Sequence, residues 1–308
     1  MNDTLGPAAS RPTGVLNLIR PAFSMALGVL LVCCCSGRDP GQAHRNDPST
    51  LPAPTPANPG NDAYSRPAGI KLIHVVVALC DNLHQGIVPV PARLGNGDDP
   101  DSNLYWGAAF GVKSFFAKAR GWHKVQQVDQ PLPGVLQRCS FRYGNQELYL
   151  IADAYQGIEI KRCISDFLSY AAGASAGASR AAVSVPHPIG GTPLDGPADL
   201  VVYVGHNGLM DFSLARLPER QGKNSIDAMV LCCASKQYFS DALLATGARA
   251  VLLTTGLMAP EAYVLDAAIK GWISAESADQ ISARAATAYN QYQKCGYRAA
   301  RALFTSGH

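Results

Sequence analysis

The sequence predicts an α/β domain built on a mostly parallel sheet. Near-continuous apolar runs of strand length occupy residues 70–79, 200–204, 228–231 and 250–255, and strands that are buried on both faces have this composition. Segments with apolar residues at helical spacing lie between and after these runs. Such an alternation of strands and helices is typical of a parallel sheet with helical connections.

The first half of the predicted domain contains one buried strand, a strand pair and two helices. The strand is IKLIHVVVAL at residues 70–79, and amphipathic spacing predicts helices at 104–122 and 158–172. Between the helices, residues 137–143 and 147–152 have strand composition and flank a Gly-Asn dipeptide, which predicts a hairpin.

The second half contains the remaining three buried strands. A helix at 235–245 follows the third strand, and Gly247 is the expected C-terminal cap residue because glycine adopts a left-handed conformation freely. Further helices are predicted at 260–275, 279–294 and 298–304.

Composition divides the 308 residues into three parts. Residues 1–35 carry arginines ahead of the uncharged apolar stretch AFSMALGVLLVCCC, which is shorter than the roughly 20 residues of a membrane span and is typical of an export signal. Residues 36–68 are rich in Pro, Ala, Asn and Ser, and we expect a disordered linker there. Residues 69–308 form the predicted domain.

The end of the apolar stretch resembles the lipid-attachment box of bacterial lipoproteins. Leu31 and Val32 precede Cys33, Cys34 and Cys35. The resemblance implies a lipid anchor on one of these cysteines and a periplasmic or membrane-attached location in a bacterium. A signal peptide that is cleaved nearby, or an uncleaved anchor, is the alternative.

Several function classes are disfavoured. The net charge of +3 is small, and neither a basic run nor an RNP-like motif indicates nucleic acid. The residues after the first strand, CDNLHQG, lack the G-x-G-x-x-G pattern of dinucleotide-binding domains. The acidic group of Asp98, Asp99 and Asp101 lacks the spacing of a calcium loop and is interpreted as a solvated turn. No cofactor and no metal is predicted.

Six of the nine cysteines lie outside the export signal: Cys80, Cys139, Cys163, Cys232, Cys233 and Cys295. This number does not indicate a disulfide scaffold in a domain of this size. Cys139 and Cys163 are a candidate pair in an oxidising compartment, whereas a buried thiol that packs as a small apolar residue is the alternative for each.

Two neighbouring predicted strands end in residues that can carry out nucleophilic chemistry. His206 follows the strand at 200–204, and Cys232 and Cys233 follow the strand at 228–231. Ligands bind at the carboxyl ends of parallel strands, and a cysteine nucleophile requires a base, usually histidine. A Cys/His dyad is therefore predicted. Metal binding by these residues is disfavoured because adjacent cysteines are poor joint ligands for a tetrahedral ion.

The two blocks DLVVYVGHNG and DAMVLCCAS resemble the caspase-like cysteine peptidases, and the following ASKQYFSDALLATGARA is closest to the CHAT and gingipain-type domains of that group. There, one hydrophobic strand ends in His-Gly and another ends in a small residue before the nucleophilic Cys. The resemblance implies a caspase-like three-layer sandwich, with a mostly parallel central sheet and helices on both faces.

The resemblance assigns His206 as the base, Cys233 as the nucleophile and Cys232 as the preceding small residue. Because adjacent strand residues face opposite ways, only one of the two cysteines can face the histidine. The backbone amides of Gly208 and Gly205 are candidate oxyanion donors, with Gly208 favoured. This chain departs from the family at Asn207, which stands between the histidine and the glycine.

The substrate pocket is predicted at strand ends. Its candidates are Asp81 and Asn82 after the first strand, Asp153 at another strand end, and Cys232. An acidic group there favours a basic substrate side chain. Two functions remain open: an exported cysteine endopeptidase that acts on peptides or proteins, and an inactive caspase-like domain that serves as a tethered binding module.

Overall fold

The computed structural model describes residues 69–174, 196–221 and 225–307. The predicted export signal, linker and lipidation cysteines lie outside these residues. No helix in the described ranges is long and apolar enough to cross a membrane.

The described residues form eight strands and six α-helices. The strands are β1 Lys71–Ala78, β2 Trp122–Leu132, β3 Val135–Tyr143, β4 Leu148–Tyr155, β5 Leu200–Val204, β6 Asp227–Leu231, β7 Arg249–Thr254 and β8 Phe304–Thr305. The helices are α1 Val112–Phe116, α2 Ile160–Ala171, α3 Ser235–Thr246, α4 Ala262–Ile273, α5 Ala278–Gln293 and α6 Tyr297–Leu303, with 3₁₀ turns at Gly157–Glu159 and Gly208–Met210.

The strands form one mixed, mostly parallel sheet in the order β2-β3-β4-β1-β5-β6-β7-β8. Strands β4, β1, β5, β6 and β7 pair in parallel, whereas β2, β3 and β8 are antiparallel to their neighbours. The predicted α/β class, the parallel strands and the β3–β4 hairpin are confirmed.

Strand β1 lies inside the sheet, between β4 and β5, and this position accounts for its nearly continuous apolar sequence. Alternate side chains of β1 enter two different core clusters, so neither face of the strand contacts water. Ile73 and Val75 belong to a cluster that also contains residues of α4 and α5. Leu72 and Val76 belong to a second cluster with residues of α2 and α3. Burying each such side chain contributes about 1.5–3 kcal/mol.

The helix predicted at 104–122 is wrong. The segment is a series of turns followed by the short helix α1, and β2 already begins at Trp122. Two glycines lie against the backbone of this segment: a Cβ on Gly107 would approach the Asp101 carbonyl oxygen to 2.1 Å, and one on Gly111 would approach Trp106 backbone atoms to 2.5 Å. Tyr105, Trp106 and Phe116 are buried by this compact segment, whereas Phe110 is exposed.

Strand β2 was not predicted from the sequence. It is the edge strand of the sheet, and most of its residues are exposed on both faces. Its sequence, WHKVQQVDQPL, therefore shows no alternation of apolar and polar residues.

The suggested pairing of Cys139 with Cys163 is wrong. Both thiols are free and buried, and they belong to different core clusters. Burial raises the pKa of the Cys139 thiol to about 11 and that of Cys163 well above its ordinary value. Each cysteine is an unreactive core residue.

Candidate active site at the ends of β5 and β6

The predicted histidine and cysteine leave the sheet side by side. Strands β5 and β6 are parallel neighbours, and Val204 is in register with Leu231. His206 and Cys233 each lie two residues beyond this registered pair. Because neighbouring strands are about 4.8 Å apart, both residues emerge at the same edge of the sheet.

His206 is held by an acidic partner in its own loop. Its Nε2 lies 2.6 Å from Oδ2 of Asp211, and its side chain is 9% exposed. The buried Tyr203 hydroxyl donates a 2.6 Å hydrogen bond to the His206 carbonyl. A carboxylate on one ring nitrogen orients an imidazole and stabilises the cation that forms when the other nitrogen takes a proton. The Gly86 amide also donates to Asp211, at 3.4 Å.

Cys233 lies on a sharp turn between β6 and α3. The next residue, Ala234, is in the left-handed region with φ of 48°, and α3 begins at Ser235. The thiol is half-buried. Its Sγ accepts a hydrogen bond from the Met258 amide at 3.4 Å and donates one to the Met258 carbonyl at 3.6 Å. The positive end of the α3 dipole favours a negative charge at this position.

A direct hydrogen bond joins the histidine loop to the cysteine turn. The side-chain Nδ2 of Asn207 donates to the Cys233 carbonyl at 2.6 Å. Asn207 is fully buried, and its Oδ1 is a buried acceptor without a partner in the described part of the chain. Asn207, which separates His206 from Gly208 in the sequence, therefore connects the histidine loop to the cysteine turn.

Cys232 is less accessible than Cys233. It is fully buried, and burial, followed by the neighbouring Cys233, raises the pKa of its thiol well above the ordinary value. The Thr254 hydroxyl donates to its carbonyl. Since a reactive thiol must be accessible and ionisable, this contrast supports Cys233 as the nucleophile.

The two glycine amides predicted as oxyanion donors are engaged within the protein. The Gly205 amide donates to the Leu231 carbonyl at 3.3 Å, and the Gly208 amide donates to the His206 carbonyl at 3.0 Å. The first bond continues the sheet. The second closes a tight turn and would have to open before the Gly208 amide could bind an oxyanion.

Asp81 and Asn82 stabilise the loop that follows β1. The Asp81 carboxylate accepts bonds from the amides of Leu83 and His84 and lies 2.8 Å from His84 Nδ1. Asn82 exchanges two hydrogen bonds with the backbone of Val90. Asp81 is 3% exposed, so this carboxylate is occupied by the turn that it caps.

Asp153 is not at a strand end, because β4 continues to Tyr155. Its carboxylate is fully buried and accepts two bonds from Arg138, at 2.5 and 2.7 Å, and one contact of 3.0 Å from His74 Nε2. Burial alone would raise the pKa of Asp153, but the Arg138 charge and the hydrogen bonds lower it to about 2. Asp153 is thus a structural ion-pair residue within the sheet.

One further carboxylate lies near Cys233. Glu261 follows Met258 by three residues, and its Oε2 accepts bonds from Tyr263 and Gln293 at 2.6 and 3.0 Å. Burial raises the pKa of Glu261. The pKa of Tyr289 is raised by burial and then by nearby charges that include both Cys233 and Glu261. The sequence interpretation passed over Glu261 because nothing local distinguishes it from a helix-capping residue.

Among the described residues, no group of three or more His, Cys, Asp or Glu side chains could hold a metal ion. Comparisons with protein-family models, with curated proteins and with solved structures find no match to this chain. The class of protein must therefore be argued from the site itself.

Proposed function

We propose that this protein is a caspase-like cysteine endopeptidase in which Cys233 is the nucleophile and His206 is the base. The observation that carries the proposal is the register of β5 against β6, because both residues follow the paired strand ends by two positions. The Asn207 bond to the Cys233 carbonyl supports it. A thiol and an imidazole at one edge of a sheet, with a carboxylate beside the imidazole, are the groups that nucleophilic catalysis by cysteine uses.

The proposed reaction has two halves. His206 Nδ1 takes the proton from Cys233, and the thiolate attacks the peptide carbonyl carbon. The tetrahedral adduct collapses, the C–N bond breaks, and the imidazolium gives its proton to the departing amine. His206 then takes a proton from water, whose oxygen bonds to the thioester carbon. The C–S bond breaks to release the acid, and the imidazolium returns its proton to the Cys233 thiolate. Asp211 keeps Nε2 occupied throughout, so that Nδ1 is the nitrogen that exchanges protons.

The family fold is part of the proposal. The division of β1 side chains between a cluster with α4 and α5 and a cluster with α2 and α3 supports a three-layer, caspase-like sandwich with helices on both faces. In the proposed reaction, the Gly208 amide exchanges its bond to the His206 carbonyl for the developing oxyanion.

Cleavage after a basic residue remains part of the proposal, with Glu261 as the acidic group. Asp81 and Asp153 are already paired, whereas the described partners of Glu261 bind one carboxylate oxygen, Oε2. Three residues of extended chain span at most about 11 Å, so Glu261 lies within reach of a lysine or arginine side chain bound beside Cys233.

Export and lipid anchoring are proposed on the N-terminal sequence alone. An apolar stretch that ends in Cys33–Cys35, followed by a Pro-rich linker, supports a domain tethered to a membrane in the periplasm.

The alternative function is an inactive caspase-like domain that binds a partner. It is favoured by the internal hydrogen bonds of the Gly205 and Gly208 amides, which engage both of the predicted oxyanion donors in this conformation.

Labelling by a peptide with an electrophilic C-terminus separates the two functions. We expect Cys233→Ala to abolish labelling, and His206→Ala to slow it by roughly 10²–10⁴-fold because the general base is lost. Cys295→Ala, which removes a thiol that is exposed elsewhere, serves as the matched control and should label as the parent protein does. Equal labelling of all four proteins would refute the peptidase.

A further inference from the structure

The Asn207 side chain binds the backbone of the proposed nucleophile, Cys233. Its Nδ2 donates to the carbonyl oxygen of Cys233 at 2.6 Å. That carbonyl belongs to the peptide unit between Cys233 and Ala234, and Ala234 is in the left-handed region, which is unfavourable for a residue with a Cβ. The bond from Asn207 therefore acts on a peptide unit that joins Cys233 to a residue in the left-handed region.

Two other bonds hold the turn, one on the same peptide unit and one on the next. The Ala234 amide donates to the Gly256 carbonyl at 2.8 Å, and the Ser235 amide donates to the Thr254 hydroxyl at 3.0 Å. These bonds tie the turn to the end of β7. The bond from Asn207 ties the carbonyl side of the Cys233–Ala234 peptide unit to the loop that follows β5.

The free end of the Asn207 amide argues against a purely structural role. The Cys233 carbonyl can be satisfied only by an N–H donor, which assigns the Nδ2 end. The Oδ1 end is then a buried acceptor with no partner among the described residues. Burying such a group without a partner costs desolvation free energy. Asn207 is therefore poorly suited to stabilise the fold, and we attribute its burial to its role in orienting the Cys233 turn.

We propose that Asn207 is a positioning residue that holds the Cys233 turn in its reactive orientation toward His206. The inference rests on the proposed peptidase function but makes a separate claim, because it concerns the reactivity of the thiol before any substrate is bound. The insertion that separates His206 from Gly208 thus contributes to the dyad.

The test is the rate at which iodoacetamide alkylates Cys233 as a function of pH in the full-length protein, with the modified residue located by mass spectrometry. Asn207→Asp removes the donor and presents a second acceptor to the carbonyl. Misplacement of a reacting group by about 1 Å lowers rates by up to 10²-fold, so we expect a loss of about tenfold to 100-fold at pH 7 and a displaced pH midpoint. Asn207→Ala, which removes the donor without adding charge, should show the same direction if Asn207→Asp fails to fold.

Asn103→Asp is the matched control. Asn103 is also fully buried and also donates through Nδ2 to a cysteine carbonyl, that of Cys80, at 2.8 Å. We expect this variant to lose thermal stability while the alkylation profile of Cys233 stays within about twofold of the parent.

Two results would overturn the inference: an unchanged alkylation profile in both Asn207 variants, or an equal change in Asn103→Asp. Failure of the peptidase proposal is a different result: peptide hydrolysis that depends on Cys233 would be absent. The alkylation rates of the variants can still be compared in that case. If hydrolysis is present, both Asn207 variants should lower kcat more than they change KM.

Discussion

Removing the cation that pairs with Asp153 tests whether this carboxylate is structural or part of a substrate pocket. Arg138 and Asp153 are both nearly inaccessible and share two hydrogen bonds. Substituting Arg138→Met leaves the carboxylate buried with the His74 N–H as its remaining strong donor. Breaking a buried pair in this way costs about 3–5 kcal/mol, because an uncompensated charge stays in the interior.

The pH dependence supplies a second measure. In the parent protein the pKa of Asp153 falls from an ordinary 3.8 to about 2, which corresponds to about 2 kcal/mol of stability. Because the folded-state pKa is the lower one, this contribution is complete above about pH 4 and is lost as the pH falls through about 2.

In Arg138→Met, the effect of pH on the free energy of unfolding should have the opposite sign. Burial without the cation raises the pKa of Asp153, so the variant loses stability as the pH rises above about 4. Other titratable groups that interact with this cluster are Asp166, Tyr155, Tyr170, Cys139 and Cys163.

The assay is urea unfolding at a series of pH values between 4 and 8, followed by circular dichroism. Arg142→Met is the matched control, since Arg142 is on the same strand and pairs with Glu147 at 2.7 Å in a half-exposed position. We expect that control to cost less than about 1 kcal/mol. A cost below about 1 kcal/mol for Arg138→Met, or a pH slope equal to that of the parent, would refute the structural interpretation of Asp153.

Three further predictions concern the proposed site and anchor. Asp211→Asn keeps a hydrogen-bonding group beside His206 but removes the charge, so kcat for peptide cleavage should fall about tenfold or more with little change in KM; an unchanged kcat would contradict the assignment of Asp211. Asp81→Asn weakens the cap of its own turn and the contact with His84, and should cost about 1–2 kcal/mol in urea unfolding, whereas a selective loss of cleavage after basic residues would return Asp81 to the pocket. Replacing all three of Cys33–Cys35 by Ser should abolish labelling with radioactive palmitate and release the protein from the membrane fraction, and persistent labelling would exclude them as the lipidation site.

Much of the sheet was predictable because its strands are buried on both faces. A continuous apolar run such as that of β1 has no other stable location in a folded domain, and strands β5 to β7 share this property. Exposed or irregular segments were not predictable. Strand β2 has no apolar pattern because neither face is covered. The aromatic residues at 104–122 repeat at helical spacing, but close backbone contacts at Gly107 and Gly111 direct them into turns.

The candidate site divides in the same way. His206 and Cys233 follow apolar strands directly, so local sequence and one assumption about strand neighbours were enough to predict the pair. The partners of these residues come from turns and from other strand ends: Asp211, Asn207 and Met258. The pocket prediction relied on carboxylates at presumed strand ends. The sequence does not show that Asp81 contacts His84 and that Asp153 pairs with Arg138.

The amino-acid sequence by itself determined which segments are buried strands, because a local run of apolar residues predicts burial. It also determined that a histidine and a cysteine follow two of these strands. Only the tertiary structure decided which groups meet at that edge. Asn207 reads in the sequence as an interruption of a His-Gly dipeptide, yet the register of β5 on β6 brings its amide to the Cys233 carbonyl. A contact between residues distant in the chain depends on strand order and register, and neither is encoded in the composition of the segments that it joins.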